Sequence, residues 1–296
     1  MSGTAASLEE YILGYCSQSA EAEEYARGHL ARLVKTLEMT PAGGPADCAL
    51  EMGAYMQVTP ALHHRLGYGD VRGCDLGPFG EIVEKNIASA SGERFRCLID
   101  LFNAETDRFP YPNEHFQLVL CCEVLEHLNE DPMAMMAEIN RVTKTGGYLV
   151  LTTPNICSAR GVAAILTGWQ PQHFSQYLRP KADASEESDS GGVWSRLRRL
   201  VARLTGKPGA AGEAVDPKHS REYAPRELPD LLHNSGFEPV SLETGPCGSR
   251  DLSEFDWVLP SLKKWGYPTE LRGEGIYVVG RKTEPVRERY PPWLYA

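Results

Sequence analysis

Short apolar runs bounded by turn-forming residues recur along the chain from Cys48 onward. Cys48 to Met52, Val71 to Asp75, Phe95 to Ile99, Phe116 to Cys122 and Tyr148 to Thr153 are rich in Val, Leu and Cys, the pattern of strands covered on both faces. Between them the pattern predicts helices. Residues 5 to 39 place Tyr25, Leu30, Leu33, Val34 and Leu37 close to one face, before Thr40-Pro41-Ala42-Gly43-Gly44-Pro45 breaks the period. A second helix is expected over Glu81 to Ala88. A third should start at Asp131-Pro132, a credible N-cap and first helical position, and end at Gly146-Gly147. Ile156 to Gly168 reads as helical, as does a stretch from near Pro225 to Gly236, with strands at Phe237 to Leu242 and Gly275 to Lys282. Strand, helix and strand from Phe116 to Thr153 make a parallel unit, and ligands of open parallel sheets collect at the strands' carboxyl ends. Glu123, Glu126 and His127 fall there.

Composition narrows the class. With 296 residues, 42% of them hydrophobic, the chain can bury a full core, as one large domain with additions. A formal charge of -10 argues against a general nucleic-acid binder. The eight cysteines show no CxxC and mostly lie in or beside expected strands, which suits buried thiols in a reducing cytosol rather than disulfides or structural zinc. The opening MSGTAASLEEYILGY has acids where a signal peptide has basic residues, and no segment approaches a membrane span, so a cytoplasmic location is expected. Residues 181 to 193 have a disorder-like composition. Residues 194–207 differ: Arg196, Arg198, Arg199, Arg203 and Lys207 accompany Trp194, Leu197, Leu200, Val201 and Leu204 at helical spacing. This is either a peripheral contact with anionic membrane or a phosphorylated substrate, or a helix docked on the domain. Ahead of it Trp169-Gln170-Pro171-Gln172-His173-Phe174 suits a substrate-side loop, with His173 either a base or a surface residue. The organisation expected is a helical preface (1–45), a core (46–180), an insert (181–215), the remainder of the core sheet and the substrate side (216–283), and a tail (284–296) whose prolines lay it across the surface.

The string FQLVLCCEVLEHLNEDPMAMMAEINRVTKTGGYLVLTTPN, from Phe116 to Asn155, resembles the corresponding region of class I S-adenosylmethionine-dependent methyltransferases. The resemblance implies a Rossmann-like α/β fold: a seven-stranded, mostly parallel sheet with an antiparallel last strand and helices on both faces. It implies S-adenosylmethionine as cofactor, with Glu51 and Gly53 in the turn after the first strand, Asp75 on the ribose hydroxyls, Asp100 with its neighbour Leu101, or else Asn103-Ala104, at the adenine, and Cys122 among the cofactor-lining positions. Glycine is needed in that turn because the backbone must adopt unusual dihedrals close to the ligand. The chain keeps Gly53 and then departs, with Ala54, Tyr55 and Met56 where further small residues are expected.

Glu123, Glu126 and His127, if helical, would converge on one point. Two carboxylates and an imidazole suit a divalent ion such as Mg2+ or general-base work, with His127 and Glu123 as catalytic groups. Similar Glu-x-x-Glu-His strings occur in metal-dependent O-methyltransferases of quinone biosynthesis and of small-RNA 3′ ends, in which a later histidine region contributes; His219 is the matching position. The opposing reading is a loop-orienting Glu and His without metal. The acceptor expected is a sugar hydroxyl of a polysaccharide or lipid-linked glycan. Alternatives are a small molecule or RNA 3′ end, and a non-catalytic scaffold whose cleft is filled by Tyr55 or Met56. A nicotinamide dehydrogenase is disfavoured, since no GxGxxG follows the first strand. Oligomerisation is left open.

Overall fold

The computed structural model describes residues 7–17, 19–171, 219–249 and 251–295. The insert and the basic stretch 194–207, with Gln172, His173 and Phe174, lie outside the described residues. One sheet organises the rest. Its eight strands are β1 (Cys48–Met52), β2 (Asp70–Asp75), β3 (Ile82–Ala88), β4 (Arg94–Leu101), β5 (Phe116–Cys122), β6 (Thr143–Pro154), β7 (Phe237–Gly245) and β8 (Gly275–Lys282), in the order β3-β4-β2-β1-β5-β6-β8-β7. Strands β4, β2, β1, β5 and β6 run parallel, while β8 is antiparallel to both of its neighbours. This is the class I methyltransferase fold expected from the sequence, with one strand more.

The extra strand corrects the helix expected over Glu81 to Ala88. Ile82, Val83 and Ile87 are β-branched, and the segment folds back on β4 as an antiparallel hairpin from Ile82↔Asp100 to Ala88↔Arg94. Gly92, at φ +87°, supplies the left-handed turn residue, and Glu84 bridges Arg96 across the strands at 2.9 Å.

Helices cover both faces. On one lie α1 (Leu8–Cys16), α2 (Ala20–Met39) and α3 (Thr59–His64), packing Ile12, Leu33, Leu37 and Leu62 against Leu118, Leu120 and Val150. The expected single preface helix is two, because Ser7 and Ser19 each cap a start. On the other face α4 (Pro132–Val142) and α6 (Glu227–Asn234) pack Met133, Met136, Ile139, Leu228 and Leu231 against Val119, Leu149 and Leu151. Asp131 caps α4 as expected, accepting from the Ala134 amide at 3.0 Å. Gly146 and Gly147 do not end that helix; it stops at Val142, and both glycines lie within the first half of strand β6. The tail forms an element despite its prolines: Pro292–Tyr295 is a helical turn, α8, and Arg289 and Tyr295 bond Asp131.

A smaller layer stands over the carboxyl ends of the strands. There α5 (Ala159–Leu166) packs on α7 (Val258–Lys264) through Ala163, Val258 and Leu262, beside a cleft of about 350 Å3 that includes the buried Arg160–Glu274 ion pair, 3.0 Å apart. All eight cysteines are free thiols. Among the described residues no helix is long and apolar enough to cross a membrane.

Candidate functional site

Because β1, β2, β4, β5 and β6 are parallel, their last residues share one edge of the sheet. Glu51, Gly53, Asp75, Asp100, Leu101, Cys122 and Glu123 all lie there. Gly53 has φ +65°, and both its amide and that of Ala54 donate to the Cys74 carbonyl, at 2.9 and 3.2 Å. The turn is therefore tied to β2 and tightly formed despite its irregular sequence. Glu51 is buried, one of its carboxylate oxygens (Oε2) has no hydrogen-bond partner, and burial lifts its carboxyl to about 7. A buried carboxylate with an open oxygen, beside a glycine turn, fits a cationic group such as those of S-adenosylmethionine.

Asp75 ends β2 and is held by the Leu76 amide at 2.8 Å, with its carboxyl raised, chiefly by burial. Tyr55 is half-buried, and its hydroxyl is raised first by burial and then by the nearby Asp75. Met56, at φ +66°, turns into the core with Ala54 and Val58. Of the two residues that could fill the cleft, Tyr55 is thus the one near Asp75. Asp100, the residue expected on the adenine side, is engaged within the protein. Its carboxylate takes a bidentate bond from Arg72, at 2.7 and 2.8 Å, and another from the Tyr111 hydroxyl at 2.8 Å.

The carboxylate and histidine cluster does not form one helical face. Glu123 sits just past β5 with φ +55°, and Leu125–His127 is a single 3-10 turn, so the 3.6-residue spacing assumed for convergence does not apply. Adjacent residues of β6 hold the two carboxylates apart. Thr152 donates to Glu123 Oε1 at 2.9 Å, and Thr153 donates to Glu126 Oε2 at 3.0 Å. Successive strand residues face opposite sides, so Glu123 belongs to the α1–α2 face and Glu126 to the α4–α6 face. On its side Glu123 pairs with Arg32 of α2 at 2.7 Å, and Arg32 also donates to the Tyr25 hydroxyl at 2.7 Å. The Cys247 thiol approaches the same carboxylate at 3.7 Å.

Glu126, His127 and His219 do come together, with one ligand atom from each within 4.8 Å of the others. The amides of Ser220 and Arg221 donate to the Glu126 carbonyl, at 2.8 and 3.3 Å, and Tyr223 bridges Asn155 in parallel register. These bonds bring His219 edge-on to His127, with ring centroids 4.9 Å apart. Glu126 is fully buried; its Oε1 has no hydrogen-bond partner and lies 3.9 Å from His127 Nε2. Burial, and then the Glu123 charge, raise its carboxyl well above the usual range. A buried carboxylate oxygen facing two imidazoles fits a divalent cation.

Sequence reasoning missed Arg32, the two threonines as carboxylate anchors, and Glu222, which bonds His219 Nδ1 at 2.9 Å. An arginine among the apolar positions of α2 and a glutamate three residues after His219 were the available signals.

Residues 50–151 match the family model described as a methyltransferase domain. The match spans 102 of the chain's 296 residues, about a third of it. An uncharacterized methyltransferase of Schizosaccharomyces pombe is 40% identical over 52 residues, 18% of this chain and 18% of that protein. Among solved structures, a Haloferax volcanii methyltransferase in complex with a methyltransferase activator is 13% identical, covering 94% of this chain and 98% of that one, with a TM-score of 0.49. An Archaeoglobus fulgidus S-adenosylmethionine-dependent methyltransferase is 14% identical over 90% of this chain and 96% of its own, with a TM-score of 0.45.

Proposed function

We propose that the protein transfers the methyl group of S-adenosylmethionine to a hydroxyl, with a sugar or lipid-linked glycan as the first acceptor class to test. The observation that carries the reading is the arrangement inside and beside the matched domain: Gly53, Glu51 and Asp75 on one edge of the sheet, with the Glu126, His127 and His219 cluster a strand or two away on the same edge.

The sulfonium methyl is already activated, so the protein's work is to align the acceptor and help its proton leave. Asp75 would accept from the ribose hydroxyls, and Glu51 would face the cofactor's positive charge. Glu126, His127 and His219 would hold a divalent ion, which would supply Lewis acidity to an acceptor hydroxyl. His127, partly exposed at the rim of that cluster, would be the ligand on the acceptor side, and the proton of the polarised hydroxyl would leave to water there. Glu123, held by Arg32 and Thr152, then serves to seat α2 over the strand ends rather than as a free base. The cleft between α5 and α7, lined by Phe255 and Leu259 with the Arg160–Glu274 pair, borders the same end of the sheet and offers room for an acceptor.

Incubation with methyl-labelled S-adenosylmethionine and a panel of glycans, quinols and RNA 3′ ends tests the reading. Label transfer to a glycan hydroxyl supports it. Transfer to quinol or RNA alone would replace the acceptor class, and a loss of transfer without loss of cofactor binding in His127→Ala would support the role given to that histidine.

A further inference from the structure

We infer that Glu222 is the positioning residue of a two-histidine, one-carboxylate ion site, and that this site selects a d-block divalent cation over magnesium. The inference rests on the divalent-ion reading above and extends it to this chain's own donor set.

Glu123, the fourth donor that the sequence suggested, is drawn to the other face of β6 by Arg32 and Thr152. What remains is Glu126, His127 and His219. Two imidazoles and one carboxylate suit Mn2+, Fe2+, Co2+ or Zn2+, whereas Mg2+ prefers carboxylates and water and releases its hydration reluctantly.

Glu222 completes the arrangement. Its Oε1 lies 2.9 Å from His219 Nδ1, and the two side chains are 0% and 3% exposed. A carboxylate at that distance, shielded from water, fixes the proton on Nδ1 and leaves Nε2 as the ligating nitrogen. The same bond holds the ring in one orientation. Residues Ser220 and Arg221, between the two, are tied by their amides to the Glu126 carbonyl, so the segment carrying the histidine and its orienting carboxylate is pinned to the turn that carries the buried ligand. Glu126 Oε1, buried and without a hydrogen-bond partner, is the independent sign that a cation belongs there.

The test uses the metal-free full-length protein, titrated with Mn2+, Co2+ and Mg2+ by calorimetry, with Mn2+ also followed by electron paramagnetic resonance. No S-adenosylmethionine is added, so the result stands apart from cofactor binding. One Mn2+ or Co2+ per chain is expected, bound more tightly than Mg2+, with a Co2+ spectrum showing nitrogen ligation. Glu222→Gln should weaken Mn2+ binding by about 10- to 100-fold, with Glu222→Asp partly restoring it. Nitrogen-15 histidine spectra of the wild-type protein should show His219 protonated at Nδ1, a readout that holds even where a variant fails to fold. Failure of the wild type to bind any of the three ions would overturn the ion reading itself. Binding that is unchanged in a folded Glu222→Gln, or a His219 protonated at Nε2, would overturn the role of Glu222 while leaving the ion in place. Tighter binding of Mg2+ than of Mn2+ would overturn the choice of ion.

Discussion

Arg32 of the second helix lies 2.7 Å from the Glu123 carboxylate, and both side chains are largely buried at the carboxyl ends of the strands. The pair joins the N-terminal helices to the centre of the sheet. Removing one partner leaves a charge in a place where water has little access. Arg32→Met is therefore expected to cost about 3 to 5 kcal/mol in urea unfolding. The double variant Arg32→Met, Glu123→Gln should recover much of that loss, and additivity of the two single effects would show that the pair is not coupled.

Asp75 and Asp100 end adjacent strands but are expected to behave differently. Asp100 is saturated by Arg72 and Tyr111, so Asp100→Asn should lower stability first, by about 1 to 3 kcal/mol. Asp75 has the Leu76 amide as its hydrogen-bond donor, and Asp75→Asn should weaken S-adenosylmethionine about tenfold or more while leaving the melting temperature near wild type. Equal cofactor affinities for wild type and Asp75→Asn would remove the ribose role.

Glu51 gives a pH signature. Its carboxyl is raised from 4.5 to about 7 by burial, so between those values the native protein keeps a proton that the unfolded chain has released. Stability contributed by this group therefore falls as pH rises from about 4.5 to about 7 and is level above. Glu51→Gln should flatten the stability profile over that window in denaturant titrations. Cofactor affinity should rise over the same window as the carboxylate becomes charged, and a flat affinity profile would separate Glu51 from the cofactor.

Tyr55 decides between a working and a filled cleft. Tyr55→Ala is expected to lower S-adenosylmethionine affinity, because the half-buried ring lies near Asp75 and its loss would remove a packing surface. An increase in affinity on truncation would mean that the ring occupies the cofactor's place.

Much of the fold was legible in the sequence because doubly covered parallel strands read as short Val- and Leu-rich runs, and because Asp131-Pro132 is a local signal that tertiary structure had no reason to override. The edge strand Ile82–Ala88 was not, since its Ile, Val, Glu and Lys suit an exposed helix or strand equally, and the hairpin partner alone settles it. At the site, proximity along the chain misled. Glu123 and Glu126 are three residues apart, yet Thr152 and Thr153, facing opposite sides of one strand, send them to different layers. His219, far away in sequence and named only through the resemblance, is the residue that reaches Glu126 and His127. Long-range pairings of this kind leave no periodic trace in the chain.

The central claim is that the irregular turn after the first strand still binds S-adenosylmethionine. Calorimetric titration of S-adenosylmethionine and its demethylated product into the purified protein tests it most directly. Saturable one-to-one binding of both, weakened in Asp75→Asn, is the result expected. An absence of binding with and without added divalent ion would contradict the account and leave a scaffold on a methyltransferase fold.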